Sequence, residues 1–179
     1  MSRLMSSVLC VLVVWSGAGN AIEKKPYLLN PGDVVSISVW GDEKLQADVS
    51  VLPDGSITFP LVGRVEVEGL DTAAVEKTVA AKLKDYLSDP TVSVVVKNAA
   101  GNLLYVEGKV LKPGPVQMAG PTAVLQALSM SGGLDKFADR SAIKVVRNQK
   151  ILPVNYKDLM DGDLSTNIQL QAGDTLVVP

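Results

Sequence analysis

The sequence predicts an α+β protein made of two small lobes, and three observations lead to that prediction. Short stretches in which apolar and polar residues alternate indicate strands, and two stretches with apolar residues three or four positions apart indicate helices. A small, polar break at residues 98–102 separates two similar successions of these elements. The 179 residues, 47% hydrophobic and 20% charged, suffice for one compact domain or two small ones and exclude general disorder.

The first residues have the pattern of a secretory signal peptide. Arg3 supplies a positive charge, an apolar stretch covers residues 4–15, and small residues follow at 17–21. The apolar stretch is shorter than the roughly 20 residues that a membrane-spanning helix needs. We therefore predict a signal peptide at residues 1–21, with cleavage between Ala21 and Ile22.

The single cysteine, Cys10, raises the alternative of a lipoprotein whose lipid is attached to that residue. Leu9 stands before it, where a small residue would be expected, and cleavage there would leave an apolar stub. We therefore favour cleavage after Ala21. The mature chain then contains no thiol, so no disulfide stabilises it.

The first lobe begins with a predicted strand that has Val35, Ile37 and Val39 on one face and Ser36, Ser38 and Trp40 on the other. Residues 49–51 and 57–59 predict a hairpin. The turn between them contains Pro53, Asp54 and Gly55, where proline favours the start of a turn and glycine permits a positive φ. A further strand is predicted at residues 64–68.

One amphipathic helix is predicted for this lobe over residues 73–87. Asp71 is its expected N-terminal cap, and Val75, Val79, Leu83 and Leu87 fall four positions apart, with Tyr86 beside them in the core. Pro90 prevents the helix from continuing, and a strand follows at residues 92–96.

The second lobe repeats this plan. Strands are predicted at 104–110 and 116–118, and a helix is predicted to begin at Pro121 and to end at Gly132 and Gly133. A hairpin joins residues 143–146 to 151–154, and a closing strand occupies 175–178.

Two segments of the sequence resemble each other. Residues 29–35 and residues 170–176 both begin with leucine and contain a Gly-Asp pair, Gly32-Asp33 and Gly173-Asp174, before a strand. Glycine permits a tight turn, and aspartate can accept hydrogen bonds from nearby backbone N–H groups. We therefore expect both pairs to have a structural role.

The composition argues against catalysis and metal binding. The sequence has no histidine, the usual general acid or base at neutral pH, and the mature chain lacks the cysteine that zinc sites use. Ser141 and Lys144 have the spacing of a penicillin-binding site, but the companion motifs are missing. Neither a catalytic residue, nor a metal ligand, nor a cofactor-binding residue is predicted.

The acidic residues do not predict a catalytic or metal-binding site either. Glu66 and Glu68 lie on one face of a strand and are expected to be solvated rather than to flank a glycosidic bond. Residues 158–163 contain three aspartates, without the glycine and glutamate of an EF-hand. A formal net charge of −2 and the lack of phosphate-binding loops exclude nucleic acid and nucleotides as expected partners. Two interpretations stay open for Trp40, which either packs in the core or makes contacts at the surface.

Taken together, these motifs resemble the bacterial polysaccharide export family. The resembling segments of the first lobe, at residues 27–40, 51–63 and 67–70, are similar to its export domain. Those of the second lobe, at residues 106–114, 123–133 and 170–179, are similar to the SLBB module, a β-grasp fold named for soluble-ligand binding. Twelve residues form the turns of the family motifs: Gly32, Asp33, Pro53, Asp54, Gly55, Gly108, Pro113, Gly114, Gly132, Gly133, Gly173 and Asp174.

The resemblance implies an export domain at residues 22–98, with a mixed sheet and one helix, and an SLBB β-grasp domain at residues 102–179. It implies a periplasmic ring of identical subunits that carries capsular polysaccharide or exopolysaccharide outward. Edge strands and the helix at residues 73–87 are the expected sites of self-contact.

The resemblance also implies an inner-membrane polysaccharide co-polymerase as a partner. Because the chain offers neither an accepted lipid-attachment site nor residues for a terminal helix after Pro179, a separate outer-membrane β-barrel is expected as a second partner. The expected location is the periplasm, and association with the outer membrane is the alternative. The alternative function is that of a monomeric periplasmic module that binds or senses glycans without transporting them.

Overall fold

The computed structural model describes residues 26–179 and shows two lobes, each with its own buried cluster of apolar side chains. The predicted α+β class is confirmed. The elements in chain order are β1 (Val34–Val39), β2 (Asp42–Ser50), β3 (Ser56–Phe59), β4 (Gly63–Glu66), α1 (Thr72–Leu83), β5 (Val92–Asn98), β6 (Leu103–Gly108), β7 (Gly114–Gln117), α2 (Val124–Met130), β8 (Ile143–Arg147), β9 (Lys150–Val154), α3 (Tyr156–Met160), a 3-10 turn (Leu164–Thr166) and β10 (Thr175–Val178). The predicted signal peptide, Ala21, Ile22, Cys10 and Trp15 lie outside the described residues.

The N-terminal lobe is built on a three-stranded sheet of order β2-β1-β5. Strand β1 is central, and its Ile37 lies opposite Ala47 of β2 and Val94 of β5. All strand pairs described in this lobe are antiparallel, so the mixed sheet predicted for it is wrong. Short connections, which favour antiparallel neighbours, join β1 to β2 and β3 to β4.

The predicted hairpin around the turn at residues 52–55 is correct in its turn and wrong in its partner strands. The turn is closed by hydrogen bonds between the backbones of Leu52 and Ser56 (2.8 Å) and of Gly55 and Leu52 (2.9 Å). Strand β3 then pairs with β4, whereas β2 pairs with β1. Alternation along each strand is satisfied in either arrangement, because it fixes which face is buried and not which strand lies alongside.

Helix α1 covers one face of the N-terminal sheet. The Asp71 carboxylate accepts a hydrogen bond from the Ala74 N–H (2.8 Å), which confirms the predicted cap. Val75, Val79 and Leu83 are fully buried. The helix ends at Leu83 rather than at residue 87, and Tyr86 is 61% exposed rather than in the core.

The C-terminal lobe has a five-stranded mixed sheet of order β7-β6-β10-β8-β9. Strand β10 lies in the middle, parallel to β6 and antiparallel to β8. Helix α2 packs on this sheet through Val124, Ala127 and Leu128. It begins at Val124 and not at Pro121, because Ala123 is still extended and its N–H donates to Gln126 Oε1 (2.8 Å).

A third helix, α3, is not predicted from the sequence. The Asn155 side chain caps it by accepting hydrogen bonds from the N–H groups of Lys157 and Asp158, and Leu159 is its buried residue. One apolar contact in five residues is too little for a periodic signal. Within residues 26–179, no helix combines the length and the apolar character that crossing a membrane requires.

Candidate functional site

The structure brings no catalytic or metal-binding group together within the described residues. No set of three or more Cys, His, Asp or Glu side chains in residues 26–179 is arranged to hold a metal ion. Ser141 donates its hydroxyl to Asp139 (2.7 Å) in a turn before β8. This bond and the Ser141 N–H hold the pKa of Asp139 below its usual value. Ser141 therefore donates both its hydroxyl and its N–H to the Asp139 carboxylate within this turn.

The other acidic residues singled out by the sequence lie at the surface. Glu66 and Glu68 are exposed. Asp158 and Asp161 are exposed, and Asp163 accepts a hydrogen bond from the Ser165 N–H (2.9 Å) as the cap of the 3-10 turn. Among these carboxylates, that of Asp163 caps a helical turn and that of Glu66 lies 3.7 Å from Arg64 at the surface.

Asp33 of the Gly32-Asp33 pair is the buried centre of a polar junction at the start of β1. The Asp33 side chain is fully buried and accepts hydrogen bonds from the Tyr27 hydroxyl (2.6 Å) and from the Asn30 N–H (2.8 Å). Its other carboxylate oxygen, Oδ1, accepts from the Gly101 N–H (2.8 Å), which lies after β5. We call Tyr27, Asn30, Asp33 and Gly101 the lobe junction.

Gly101 is held so closely at the lobe junction that no other side chain fits there. A Cβ atom on Gly101 would lie 2.2 Å from the Pro31 carbonyl oxygen and 2.9 Å from the Asn30 Cβ. On the other side, the Asn102 side chain donates to the Met118 carbonyl (2.7 Å) of the C-terminal lobe. The polar break between the lobes is therefore a fixed connection with contacts to both.

The pKa of Tyr27 is raised well above its usual value. Burial is the main cause, because it penalises the charged phenolate, and the hydrogen bond to Asp33 is the second. The hydroxyl therefore stays protonated as a donor to the Asp33 carboxylate.

Raising the pH above about 10 is expected to destabilise the fold through Tyr27. In the unfolded chain the phenol loses its proton near its usual pKa of about 10, whereas in the folded protein it keeps it. The unfolded state then binds fewer protons, so the contribution of Tyr27 to stability is constant below pH 10 and falls above it. Urea denaturation at pH 8 to 11.5 measures this, and Tyr27→Phe should flatten the decline while Tyr86→Phe should not. Equal slopes for wild type and Tyr27→Phe would contradict the prediction.

The Gly173-Asp174 pair has the same local geometry in the C-terminal lobe. The Asp174 carboxylate, 1% exposed, accepts from the Gln171 N–H (2.8 Å), three residues before it, as Asp33 accepts from Asn30. Asp33 also accepts from Tyr27 and Gly101. Asp174 instead accepts from Arg147, from its Nε (2.8 Å) and its Nη2 (2.6 Å). The two similar segments therefore form the same turn with different partners.

Arg147 connects three parts of the C-terminal lobe. It ends β8, forms a two-pronged ion pair with Asp174 and donates from Nη2 to the Gln169 carbonyl (2.8 Å). The hydrogen bonds that Arg147 donates to Asp174 are the main reason why the pKa of Arg147 is raised above its usual value. The charge of each partner therefore stabilises the other away from bulk water.

The remaining motif residues lie in turns and at strand ends. Asp54 accepts from the Ser56 hydroxyl (2.6 Å), which is the first cause of its lowered pKa, and forms an exposed ion pair with Arg64. The others are placed as follows: Pro53 and Gly55 in the same turn, Pro113 and Gly114 before β7 and at its start, and Gly132 and Gly133 after α2.

Gly108 marks a close approach of two strands. It has a φ of +91°, and a Cβ atom there would lie 1.9 Å from the Val178 carbonyl oxygen of β10. That carbonyl accepts from the Lys109 N–H (2.8 Å). Any side chain at this position would separate the ends of β6 and β10.

Three residues of these buried clusters were not singled out by the sequence. Gly101 is one of several small residues in the break, Tyr27 precedes the first strand, and Arg147 falls in a predicted turn. A signal existed for Arg147, because it directly follows an alternating strand whose other residues are mostly apolar. Its pairing with Asp174 depends on the register of β8 and β10, which the sequence does not show.

The surface carries several apolar side chains, of which Trp40 is the most exposed at 88%. Trp40 therefore belongs to the surface and not to the core. Other exposed apolar residues lie in both lobes: Leu61, Tyr86, Val95, Leu111, Phe137, Ile151, Met160 and Leu164. The surface depressions, including the one between β6 and β7, are shallow and open.

Two family models match the chain in the order of its lobes. A model described as polysaccharide biosynthesis/export protein matches residues 21–97, and a model of the SLBB domain matches residues 102–178. The chain belongs to the bacterial polysaccharide export family. Of the lobe junction, Gly101 lies between the two matched segments, and Tyr27, Asn30 and Asp33 lie within the first.

Relatives in the polysaccharide export family cover most of this chain. It is 31% identical over 156 residues to the polysialic acid transport protein KpsD of Escherichia coli, covering 85% of this chain and 28% of that protein. It is 27% identical to the EPS I polysaccharide export outer membrane protein EpsA of Ralstonia nicotianae (86% and 47%). It is 26% identical to the capsule polysaccharide export outer membrane protein CtrA of Neisseria meningitidis (84% and 43%). The chain thus spans less than half the length of these relatives.

Proposed function

We propose that this protein is a non-enzymatic component of the export of capsular polysaccharide or exopolysaccharide. The observation that carries the proposal is the order of the two family matches on two lobes that the buried junction holds together. The relatives are named for polysaccharide transport or export, and two of them as outer membrane proteins. The proposed location is the periplasm, at or near the outer membrane.

The mature protein is proposed to consist of an export domain at residues 22–98 and an SLBB domain at residues 102–179, after removal of residues 1–21. The twelve turn residues of the motifs are proposed to shape these domains rather than to bind a ligand. Their buried carboxylates, Asp33 and Asp174, support this because protein donors already engage them.

Self-association into a ring that lines a conduit is part of the proposal. The sheets offer edge strands at β2 and β5 in one lobe and at β7 and β9 in the other. Glu76 already accepts the Val94 N–H (2.9 Å) and covers part of the β5 edge. Exposed apolar side chains such as Ile151 on β9 support contact between copies. The polysaccharide, an inner-membrane co-polymerase and a separate outer-membrane β-barrel are the proposed partners.

Deleting the gene is expected to stop polysaccharide from appearing on the cell surface, with recovery when the full chain is supplied. Quantifying surface polysaccharide after deletion and complementation measures this. Light scattering of the purified mature chain then separates the ring from the alternative of a monomeric glycan-binding or sensing module. Normal surface polysaccharide in the deletion strain would contradict the export function, and a monomer at all concentrations would contradict the ring.

A further inference from the structure

The outer face of the N-terminal sheet differs in chemistry from the face that α1 covers. Val35, Ile37, Val39 and Val94 point to the core, so the alternate residues of the same strands point outward. Most of the outward residues that share this face carry a hydroxyl or an amide: Ser36, Ser38, Gln46, Thr91 and Ser93. Its apolar members are Trp40 and Val95, which lies opposite Ser36 and is 54% exposed. We call this set the serine face.

The strand register places these side chains beside one another. Ser38 of β1 lies opposite Gln46 of β2 on one side and Ser93 of β5 on the other. The Trp40 N–H donates to the Thr91 carbonyl (2.9 Å), so the alternation of β1 continues and Trp40 stands on the same face as Ser38. From Ser36 to Trp40 the face is about 13 Å long.

Within residues 26–179, the hydroxyl groups of Ser36, Ser38 and Ser93 donate no hydrogen bond and can bind another molecule. Among the described residues, the serine hydroxyls that donate hydrogen bonds within the protein belong to Ser56, Ser129, Ser131 and Ser141. Those of Ser36, Ser38 and Ser93 do not. Ser36 and Ser38 are half-buried, Gln46, Thr91 and Ser93 are exposed, and Trp40 is 88% exposed at the end of the face.

The chemistry of the face fits an extended carbohydrate chain. Serine hydroxyls and a glutamine amide can both donate and accept hydrogen bonds, as sugar hydroxyls do. An exposed indole ring offers a flat apolar surface against which the C–H groups of a sugar ring can stack. The face has one acidic neighbour, Asp48, and one basic neighbour, Lys97, so it does not select a charged ligand.

We infer that the serine face is a contact surface for the exported polysaccharide, with Trp40 as its stacking platform. This inference rests on the proposed function and adds to it the part of the chain that touches the sugar. The contact is weak and spread over several residues, because the face is open and flat and has no enclosing pocket. Such a surface lets a polymer slide along it.

Nuclear magnetic resonance titration of the mature chain with sugar oligomers tests the inference. The probes are dextran oligosaccharides, which are neutral, and polysialic acid oligomers, which are anionic. We expect the amide signals of Ser36, Ser38 and Ser93 to shift with both. Trp40 is the only tryptophan left once Trp15 is removed with the signal peptide, so its fluorescence should change in parallel.

Matched variants make the result specific. Trp40→Ala should weaken binding about three- to ten-fold, and Ser38→Leu should weaken it further by removing a hydroxyl at the centre of the face. Tyr86→Ala removes another exposed ring of the same lobe and should leave binding unchanged. Circular dichroism of each variant checks that it remains folded.

Three results would overturn the inference: no shift with either sugar, shifts confined to other surfaces, or shifts that follow protein concentration and so report contact between copies. These results differ from a failure of the proposed function. If deletion of the gene blocks export while the sugars leave the serine face unaffected, only the inference fails. If deletion leaves surface polysaccharide normal, the export function fails whatever the titration shows.

Discussion

Replacing Arg147 with leucine is expected to lower the free energy of unfolding by about 3 kcal/mol, the lower end of the usual cost of removing one partner of a buried ion pair, because the Arg147 side chain is 22% exposed. Asp174 is 1% exposed, and Arg147 is its two-pronged partner at 2.8 and 2.6 Å. Without Arg147 the Asp174 carboxylate would keep a hydrogen bond from Gln171 and lose its compensating charge. Urea denaturation at pH 7 measures the change.

Two further variants test whether the uncompensated charge is the cause. Arg147→Leu combined with Asp174→Asn should be more stable than Arg147→Leu alone, because an amide needs no counter-charge. Arg64→Leu is the matched control, since Arg64 forms an ion pair with Asp54 that is exposed on both sides. A loss for Arg147→Leu no larger than that for Arg64→Leu would contradict the prediction.

Replacing Asp33 with alanine is expected to cost about 3 kcal/mol, because three half-buried donors would lose their acceptor and each would cost about 1 kcal/mol. Asp33 accepts from the Tyr27 hydroxyl and from the N–H groups of Asn30 and Gly101. The last of these bonds connects the N-terminal lobe to the linker, so the variant should also loosen the connection between lobes. Hydrogen exchange of the Asn30 and Gly101 amides should become faster in Asp33→Ala.

The exposed Asp85 provides the control for this variant, because it is an aspartate at the surface of the same lobe. Asp85→Ala should leave both stability and the exchange of the Gly101 amide unchanged. Asp33→Asn should have an intermediate effect, since its remaining oxygen can accept some of the three hydrogen bonds. Exchange of the Gly101 amide at the wild-type rate in Asp33→Ala would show that the lobe junction does not depend on this carboxylate.

The elements that the sequence predicted well are those with a local cause. Helix α1 follows from Val75, Val79 and Leu83, which are buried on one face, and from the Asp71 cap. The hairpin of β8 and β9 is present, with Asn148 and Gln149 at positive φ in its turn. These features depend on spacing or on turn chemistry, which a sequence displays directly.

The incorrect helix boundaries arise where the sequence pattern continues beyond the residues that form the helix. Leu87 keeps the spacing of α1, but the N–H groups of Tyr86 and Leu87 both donate to the Leu83 carbonyl, so the chain turns there. Pro121 is compatible with a helix start, yet α2 begins only at Val124. A pattern of residues cannot show where the backbone leaves the helix.

The buried polar clusters could be predicted only in part. Asp33 and Asp174 were visible as members of a repeated turn, and both accept the N–H three residues before them. Their other partners, Gly101 and Arg147, lie 68 and 27 positions away along the chain. Such long-range pairs follow from how strands and lobes are arranged, which spacing within a segment does not encode.

A polypeptide interrupted anywhere before Thr175 lacks the strand that unites the C-terminal sheet, because β10 lies between β6 and β8. Both neighbours would then present unpaired backbone groups, which attract other chains and proteases. The N-terminal lobe has all of its strands by Asn98. A product that ends between Asn98 and Thr175 therefore has a complete set of N-terminal strands followed by unpaired C-terminal ones, and we expect it to aggregate or to be degraded.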